Sequence, residues 1–303
     1  MRHLVAFACA AGLTSSLVSA GRAQTATFST STDLVVLQVS VRDDRGRAIS
    51  GLPAESFTLW DGNVKRDIAV FSNDDAPMTI GVVVDSSISM QTIRDDVMAA
   101  CSSFLSGLRG GSDLFALAFN EHVRSALPPA APFTRDPAEL RLALEAVAGA
   151  RGKTALYDAV KTGVGYAARG QFPRKALVVI SDGGDNASAS TLDGLMTHIR
   201  EADIVIHTVA LTDPVEPSKP GILKRLSEDT GGEFLRPSQT RDIGPALARL
   251  AEDIRRGYVL GFRPASPPDG QFHRVRLSAR SRDTGTLHVR TRAGYLSGSR
   301  GGQ

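Results

Sequence analysis

The chain is poor in cysteine: 303 residues contain two, Cys9 and Cys101. A single cysteine beyond the first twenty residues rules out an intramolecular disulfide, and with it the disulfide-stapled class of small secreted domain. Cys101 lies at helical spacing from Met98, Phe104 and Leu105, the setting of a buried, inert thiol. Long apolar runs are also missing past residue 23. The one extended apolar stretch, 4–17, follows Arg2 and His3 and leads to small residues at Val18-Ser19-Ala20 and Gly21-Arg22-Ala23. It reads as a secretory signal peptide over 1–23, too short for a comfortable membrane helix, and an uncleaved anchor is the less favoured reading. The expectation is a secreted or periplasmic protein with no integral membrane span after cleavage. Neither sign of charge dominates. The formal charge of +3 falls to +1 without Arg2 and Arg22, 33 basic residues against 32 acidic, which gives no footing for nucleic-acid binding. Among the six histidines none falls in the motif segments below, and neither a His/Cys metal cluster nor a Ser-His-Asp arrangement is visible.

What is present is an ordinary globular composition, 42% hydrophobic and 22% charged, sufficient for a sizeable core. Residues 24–32 are rich in Ser and Thr without periodicity and read as a linker. Residues 33–75 are β-rich: 34–42 alternates in part, and Phe57-Thr58-Leu59-Trp60, the turn Asp61-Gly62-Asn63 and the run 64–71 read as a hairpin. From 76 to 256 four apolar runs, 80–84, 114–119, 176–180 and 204–211, alternate with helical patterns over about 91–108, 137–147, 155–168, 192–202, 222–229 and 243–255. That alternation predicts an α/β, doubly wound, mostly parallel sheet covered on both faces. Residues 257–297 return to short alternating strands. Each β-rich end is marginal alone, so the two ends are expected to pair as a small antiparallel β-sandwich with the α/β domain inserted between them. Residues 298–303 read as frayed.

Asp85-Ser86-Ser87-Ile88-Ser89 directly follows the run Ile80-Gly81-Val82-Val83-Val84, which has the unbroken apolar character of a strand buried on both faces. Ligands of open α/β sheets bind at the carboxyl ends of strands. Asp85, Ser87 and Ser89 offer hard oxygen ligands at such an end, a set suited to Mg²⁺, Mn²⁺ or Ca²⁺. The plainer alternative makes Ser89 the N-cap of the helix that follows. Gly149-Ala150-Arg151-Gly152-Lys153-Thr154 looks like a phosphate-binding loop but has two residues where four are needed, and it follows a helix instead of a strand. Thr154 is then either a neutral oxygen ligand in a loop or the N-cap of the helix at Ala155. Asp182 ends a second apolar run, Ala176-Leu177-Val178-Val179-Ile180-Ser181, and Gly183-Gly184 permits a sharp turn after it. If the two strands are neighbours, both carboxylates emerge at one sheet edge.

With these motifs the chain resembles the von Willebrand factor A (vWA) domain over about 78–255. That family's metal-ion-dependent adhesion site (MIDAS) uses an Asp-x-Ser-x-Ser turn, a Thr in a later loop and an Asp after a further strand. Here those positions are Asp85, Ser87, Ser89, Thr154 and Asp182. The flanks 155–159, 181–185, 258–262 and 290–295 look like the VWFA-related proteins common in acidobacteria. Lys153 departs from the small residues usual before the Thr.

The resemblance implies a secreted, divalent-cation-dependent protein-binding module, not an enzyme. Its metal, Mg²⁺ (or Mn²⁺ or Ca²⁺), would capture an Asp or Glu carboxylate of a protein partner. One rival is a metal-dependent hydrolase or phosphoryl-transfer enzyme. Its nearest candidate bases, Asp158 and Asp185, have plainer roles at a helix start and a turn, and His207 reads as a packed core histidine. Another rival is charge-driven surface binding through Arg274, Arg276, Arg280, Arg290 and Arg292 on one strand face, for which a solvated face is the preferred reading.

Overall fold

A computed structural model describes residues 34–298 apart from 74, 109, 150, 212–218, 265–267 and 282–285. The expected signal peptide (1–23), the linker (24–32) and most of the frayed tail (299–303) lie outside the described residues.

The apolar runs form the centre of a six-stranded sheet because they carry no polar alternation and need cover on both sides. Its strands are β5 (Thr79–Asp85), β6 (Asp113–Phe119), β7 (Val123–Ser125), β8 (Lys175–Ser181), β9 (Val205–Ala210) and β10 (Phe234–Leu235). The order is β10-β9-β8-β5-β6-β7, parallel except for the edge strand β7. Helices α1 (Arg94–Ser106), α2 (Pro137–Val147) and α6 (Ile243–Arg255) bury Ile80, Val82 and Val84 on one face. Helices α3 (Leu156–Arg169), α4 (Leu192–Glu201) and α5 (Pro220–Thr230) bury Val83, Leu177 and Val179 on the other. Gly81 makes room on that second face, where a Cβ would lie 2.1 Å from the Phe115 ring. Cys101 is buried in the first core, and burial pushes its thiol up to about 12. No helix among the described residues is long and apolar enough to cross a membrane.

The two ends of the chain build two four-stranded antiparallel sheets. One contains β1 (Val35–Asp43), β4 (Val70–Ser72), β11 (Tyr258–Phe262) and β13 (Leu287–Arg290), and β1 lies between β11 and β13. The other contains β2 (Phe57–Asp61), β3 (Val64–Arg66), β12 (Phe272–Ala279) and β14 (Gly294–Leu296), and β12 lies between β2 and β14. Their inner faces share one core of Leu37, Val39, Val41, Phe57, Leu59, Tyr258, Leu260 and Phe262. The α/β layer is thus inserted, in chain order, between the strands of a sandwich made from both chain ends.

Two expectations need correction. The run 64–71 is not one hairpin arm: it pairs with β2 only as far as Arg66, then β4 crosses to the opposite sheet beside β11. Strands that change sheets make the corners of such sandwiches. The five arginines also do not share a face. Arg274 and Arg276 point outward from β12, whereas Arg290 on β13 lies 3.8 Å from Glu233 and Arg292 pairs with Asp203 at 3.4 Å.

Candidate metal centre

The chain runs from β5 outward to β6 and then returns to place β8 on the other side of β5, so the β5/β8 carboxyl edge is the topological switch point of the sheet. The register sets Val84 beside Ile180. Asp85 and Ser181 therefore emerge together, and Asp182 follows one residue later.

Hydrogen bonds link the expected residues into a chain. The backbone N–H of Ser87 donates to Asp85 Oδ1 at 2.9 Å, folding the turn back on its own carboxylate. The hydroxyls of Ser87 and Ser89 are 3.1 Å apart, and Ser89 Oγ donates to Asp182 Oδ2 at 2.7 Å. From the neighbouring strand Ser181 Oγ donates to the second oxygen of Asp85, also at 2.7 Å. Ser181 escaped the sequence reading, although a polar residue closing an apolar run at the level of Asp85 was the available signal. Asp85, Ser87, Thr154 and Asp182 are buried, and Ser89 is half-buried.

Thr154 is brought alongside through its backbone. Its N–H donates to Asn186 Oδ1 at 2.8 Å, and its carbonyl accepts from the N–H groups of Asn186 and Ala187, just past the Asp182 turn. In the same loop Arg151 N–H donates to Ser86 O at 3.0 Å, and Gly152 O accepts from Ile88 N–H at 3.3 Å. All three motif segments are thus stitched to one another. Gly183 makes the turn possible: its φ is +84°, and a Cβ there would meet the Lys219 carbonyl at 2.3 Å.

Ser89 caps nothing: a 3₁₀ turn over Ile88–Ile93 has Ser87 as its N-cap without a side-chain bond, and α1 starts only at Arg94. Thr154 is not a cap either, since Ala155 occupies the N-cap of α3. The rival bases are occupied as turn formers. Asp158 accepts from the N–H groups of Ala189 and Ser190, and Asp185 accepts from Tyr157 N–H and Ser188 Oγ. His207 Nδ1 accepts from Glu233 N–H at 3.0 Å, far from this edge, and burial pushes its pKa down to about 4.

The electrostatics of the edge are unbalanced. Burial pushes the Asp85 carboxyl up to about 6, against the pull of hydrogen bonds from Ser87 and Ser181, and the charge of Asp182 adds to the rise. Among the described residues no Lys or Arg lies within ion-pair distance of Asp85 or Asp182. Among the described residues, no group of three or more His, Cys, Asp or Glu side chains gathers for a metal either. The donor set is two carboxylates and three hydroxyls, all oxygen. It fits a hard divalent cation, which would supply the charge that the protein does not.

An open α/β sheet with an oxygen-rich cluster at its switch point defines the class. No protein-family model and no curated protein matches the chain in sequence. Solved structures do match in shape. A von Willebrand factor type A protein from Catenulispora acidiphila aligns with a TM-score of 0.52 at 12% identity, covering 88% of this chain and 75% of that one. Proximal thread matrix protein 1 from the mussel byssus, described with a zinc-occupied MIDAS motif, aligns with a TM-score of 0.50 at 16% identity, covering 60% of this chain and 48% of that one. The fold of this chain is that of the von Willebrand factor A domain.

Proposed function

We propose that Asp85, Ser87, Ser89, Thr154 and Asp182 hold one divalent cation, Mg²⁺ or else Mn²⁺ or Ca²⁺, and that the protein is a secreted or periplasmic interaction module using this edge to capture an Asp or Glu carboxylate of a protein partner. The observation that carries the reading is the hydrogen-bonded run Asp85–Ser87–Ser89–Asp182, assembled from the ends of two adjacent strands with no cation of its own. The mussel protein, similar in fold, is described with a zinc-occupied MIDAS motif, which supports the reading. A cation held largely by neutral hydroxyls keeps positive charge at an open position, where a partner carboxylate can bind. The chain's own residues supply the rest. Ser181 and the Ser87 N–H fix Asp85, the Gly184 N–H fixes Asp182 at 2.8 Å, and Ile88, 59% exposed between the two serines, offers an apolar flank to a partner. A binder is favoured over a catalyst because both oxygens of Asp158 and Oδ1 of Asp185 already accept from backbone and hydroxyl donors.

Titration with Mg²⁺ or Mn²⁺ should show one site, lost in Asp85→Ala, and chelator should release partners captured from an extracytoplasmic fraction. Unchanged metal binding in the variant would sink the assignment. Reproducible phosphatase activity that disappears with Asp85 would move the protein to the hydrolase reading.

A further inference from the structure

At the other end of the molecule, a groove of about 710 Å³ runs between the α/β layer and the outer face of the β12 sheet. Its walls are Arg200 and Asp229, at the C-terminal ends of α4 and α5, and Phe272, Arg274 and Arg276 on β12, with Gly62 at the β2–β3 turn. The volume lies in the range of ligand sites. Arg200 stands 5.9 Å over the Phe272 ring and pairs with Asp229 at 3.5 Å. The Arg276 guanidinium lies 4.7 Å from the centre of the Trp60 ring, and Trp60 faces Lys65 across the next ladder. Arg274 and Arg276 are exposed, point the same way two residues apart, and meet no carboxylate among the described residues. Two unpaired arginines on a rigid strand, one of them held beside the Trp60 ring, are the ingredients of anion recognition.

The groove is pre-formed. Ala293 N–H donates to Asp229 O at 3.3 Å, joining the two walls. Arg292, mostly buried, donates from Nε to Gly294 O at 2.7 Å and from its terminal nitrogen to Arg200 O at 3.3 Å, tying the end of α4 to β14. Gly294 lets β14 lie close, since a Cβ there would come within 2.1 Å of the His273 carbonyl.

We propose that this groove binds an acidic polysaccharide, a chain whose sugar units bear carboxylates. Arginine forks donate to the two oxygens of a carboxylate, Asp229 can accept from sugar hydroxyls, and Phe272 in the wall offers an apolar surface to a sugar. The alternatives fit less well. β12 is an interior strand paired on both sides, so an acidic peptide finds no free main-chain edge to extend. Three cations facing one acid are few for a duplex phosphate backbone, and the concave shape opposes a flat membrane. The site is independent of the metal edge.

The test is affinity electrophoresis of the full-length protein in gels containing polygalacturonate, dextran or polyglutamate, with chelator present throughout. Retardation by polygalacturonate alone is expected, weakened about tenfold in Arg274→Glu/Arg276→Glu, a loss on the scale of two solvent-exposed ion pairs. Should circular dichroism show that double variant misfolded, Arg274→Gln/Arg276→Gln carries the same comparison. Four outcomes overturn the proposal: no retardation, equal retardation by dextran, retardation by polyglutamate as strong as by polygalacturonate, or retention unchanged in the folded double variant.

Discussion

The two edges of the central sheet each bury a pair of acidic residues, and they treat them in opposite ways. At the carboxyl edge, Asp85 accepts from Ser181 Oγ and Asp182 from Ser89 Oγ, and among the described residues neither meets a basic side chain. Toward the sandwich, Glu233 and Asp253 are both gripped by Arg42 from β1, and Arg249 reaches Glu233 at 3.4 Å. The second pair is neutralised from within the chain. It works as a weld between the sandwich and the α/β layer, to which Gln38 adds a bond from Nε2 to Lys175 O at 3.2 Å. The first pair is charge left open in an otherwise sealed structure. Cations supplied by the protein mark the structural pair; under the proposed function, the other pair would receive its cation from outside.

The largest effects should separate the edges cleanly. Arg42→Met leaves two buried carboxylates facing each other. It should cost on the order of 3 kcal/mol in urea unfolding while leaving Mg²⁺ affinity unchanged. Asp85→Ala should do the reverse. It removes metal binding, yet shifts the melting temperature of the metal-free protein by no more than a few degrees, because burial and Asp182 already disfavour the Asp85 charge. If Arg42→Met weakened metal binding as much as Asp85→Ala, the two edges would be one coupled network and the contrast would fail.

A smaller effect probes the weld through pH. His207 faces Glu233, Arg290 and Arg42, and its Nδ1 can accept the Glu233 N–H only while unprotonated. Burial holds its folded pKa near 4, below the unfolded value near 6.5. Between these values the unfolded chain binds the extra proton, so stability falls as pH drops from about 6.5 to about 4 and then levels off. A shift of that size is worth at most about 3 kcal/mol. Urea unfolding across this range should show the slope in the native chain and a flatter one in His207→Gln. Parallel slopes would mean that other groups carry the acid sensitivity.

Much of the β5/β8 carboxyl edge was legible because its signals are local. Two apolar runs without alternation must be interior strands, and a carboxylate at the end of each must surface at the same level if they pair. Helices α2 and α6 were readable for the same reason: Asp136 caps and Pro137 opens the one, and Leu247, Leu250 and Ile254 stripe the other. What depended on distant partners was not legible. Arg42 meets residues 191 and 211 positions away, and no pattern near Arg42 announces them. The crossing of β4 to the second sheet, the three-residue β7 and the two-residue β10 exist because neighbours are already in place. The helix read from residue 91 begins instead as a 3₁₀ turn, because the chain must first fold over the edge to bring Ser89 onto Asp182. The arginine stripe failed because period-two alternation assigns faces within a strand, not across strands of different sheets.

The smallest effect tests whether the open edge is tuned as well as open. Lys153 precedes Thr154 in the loop that closes over the Asp85 turn, and its N–H donates to Glu121 Oε2 at 2.8 Å while the side chain stays exposed. A solvated ammonium near the carboxylates opposes a second cation weakly, and salt screens the opposition. Lys153→Ser should therefore raise Mg²⁺ affinity by about two- to threefold at low ionic strength, with little change at 0.15 M salt. The same substitution should weaken capture of an acidic partner, since the lysine attracts what the cation binds. A gain in metal affinity with undiminished partner capture would place Lys153 outside the docking surface. A loss of metal affinity would mean that the loop's shape, not its charge, sets the site.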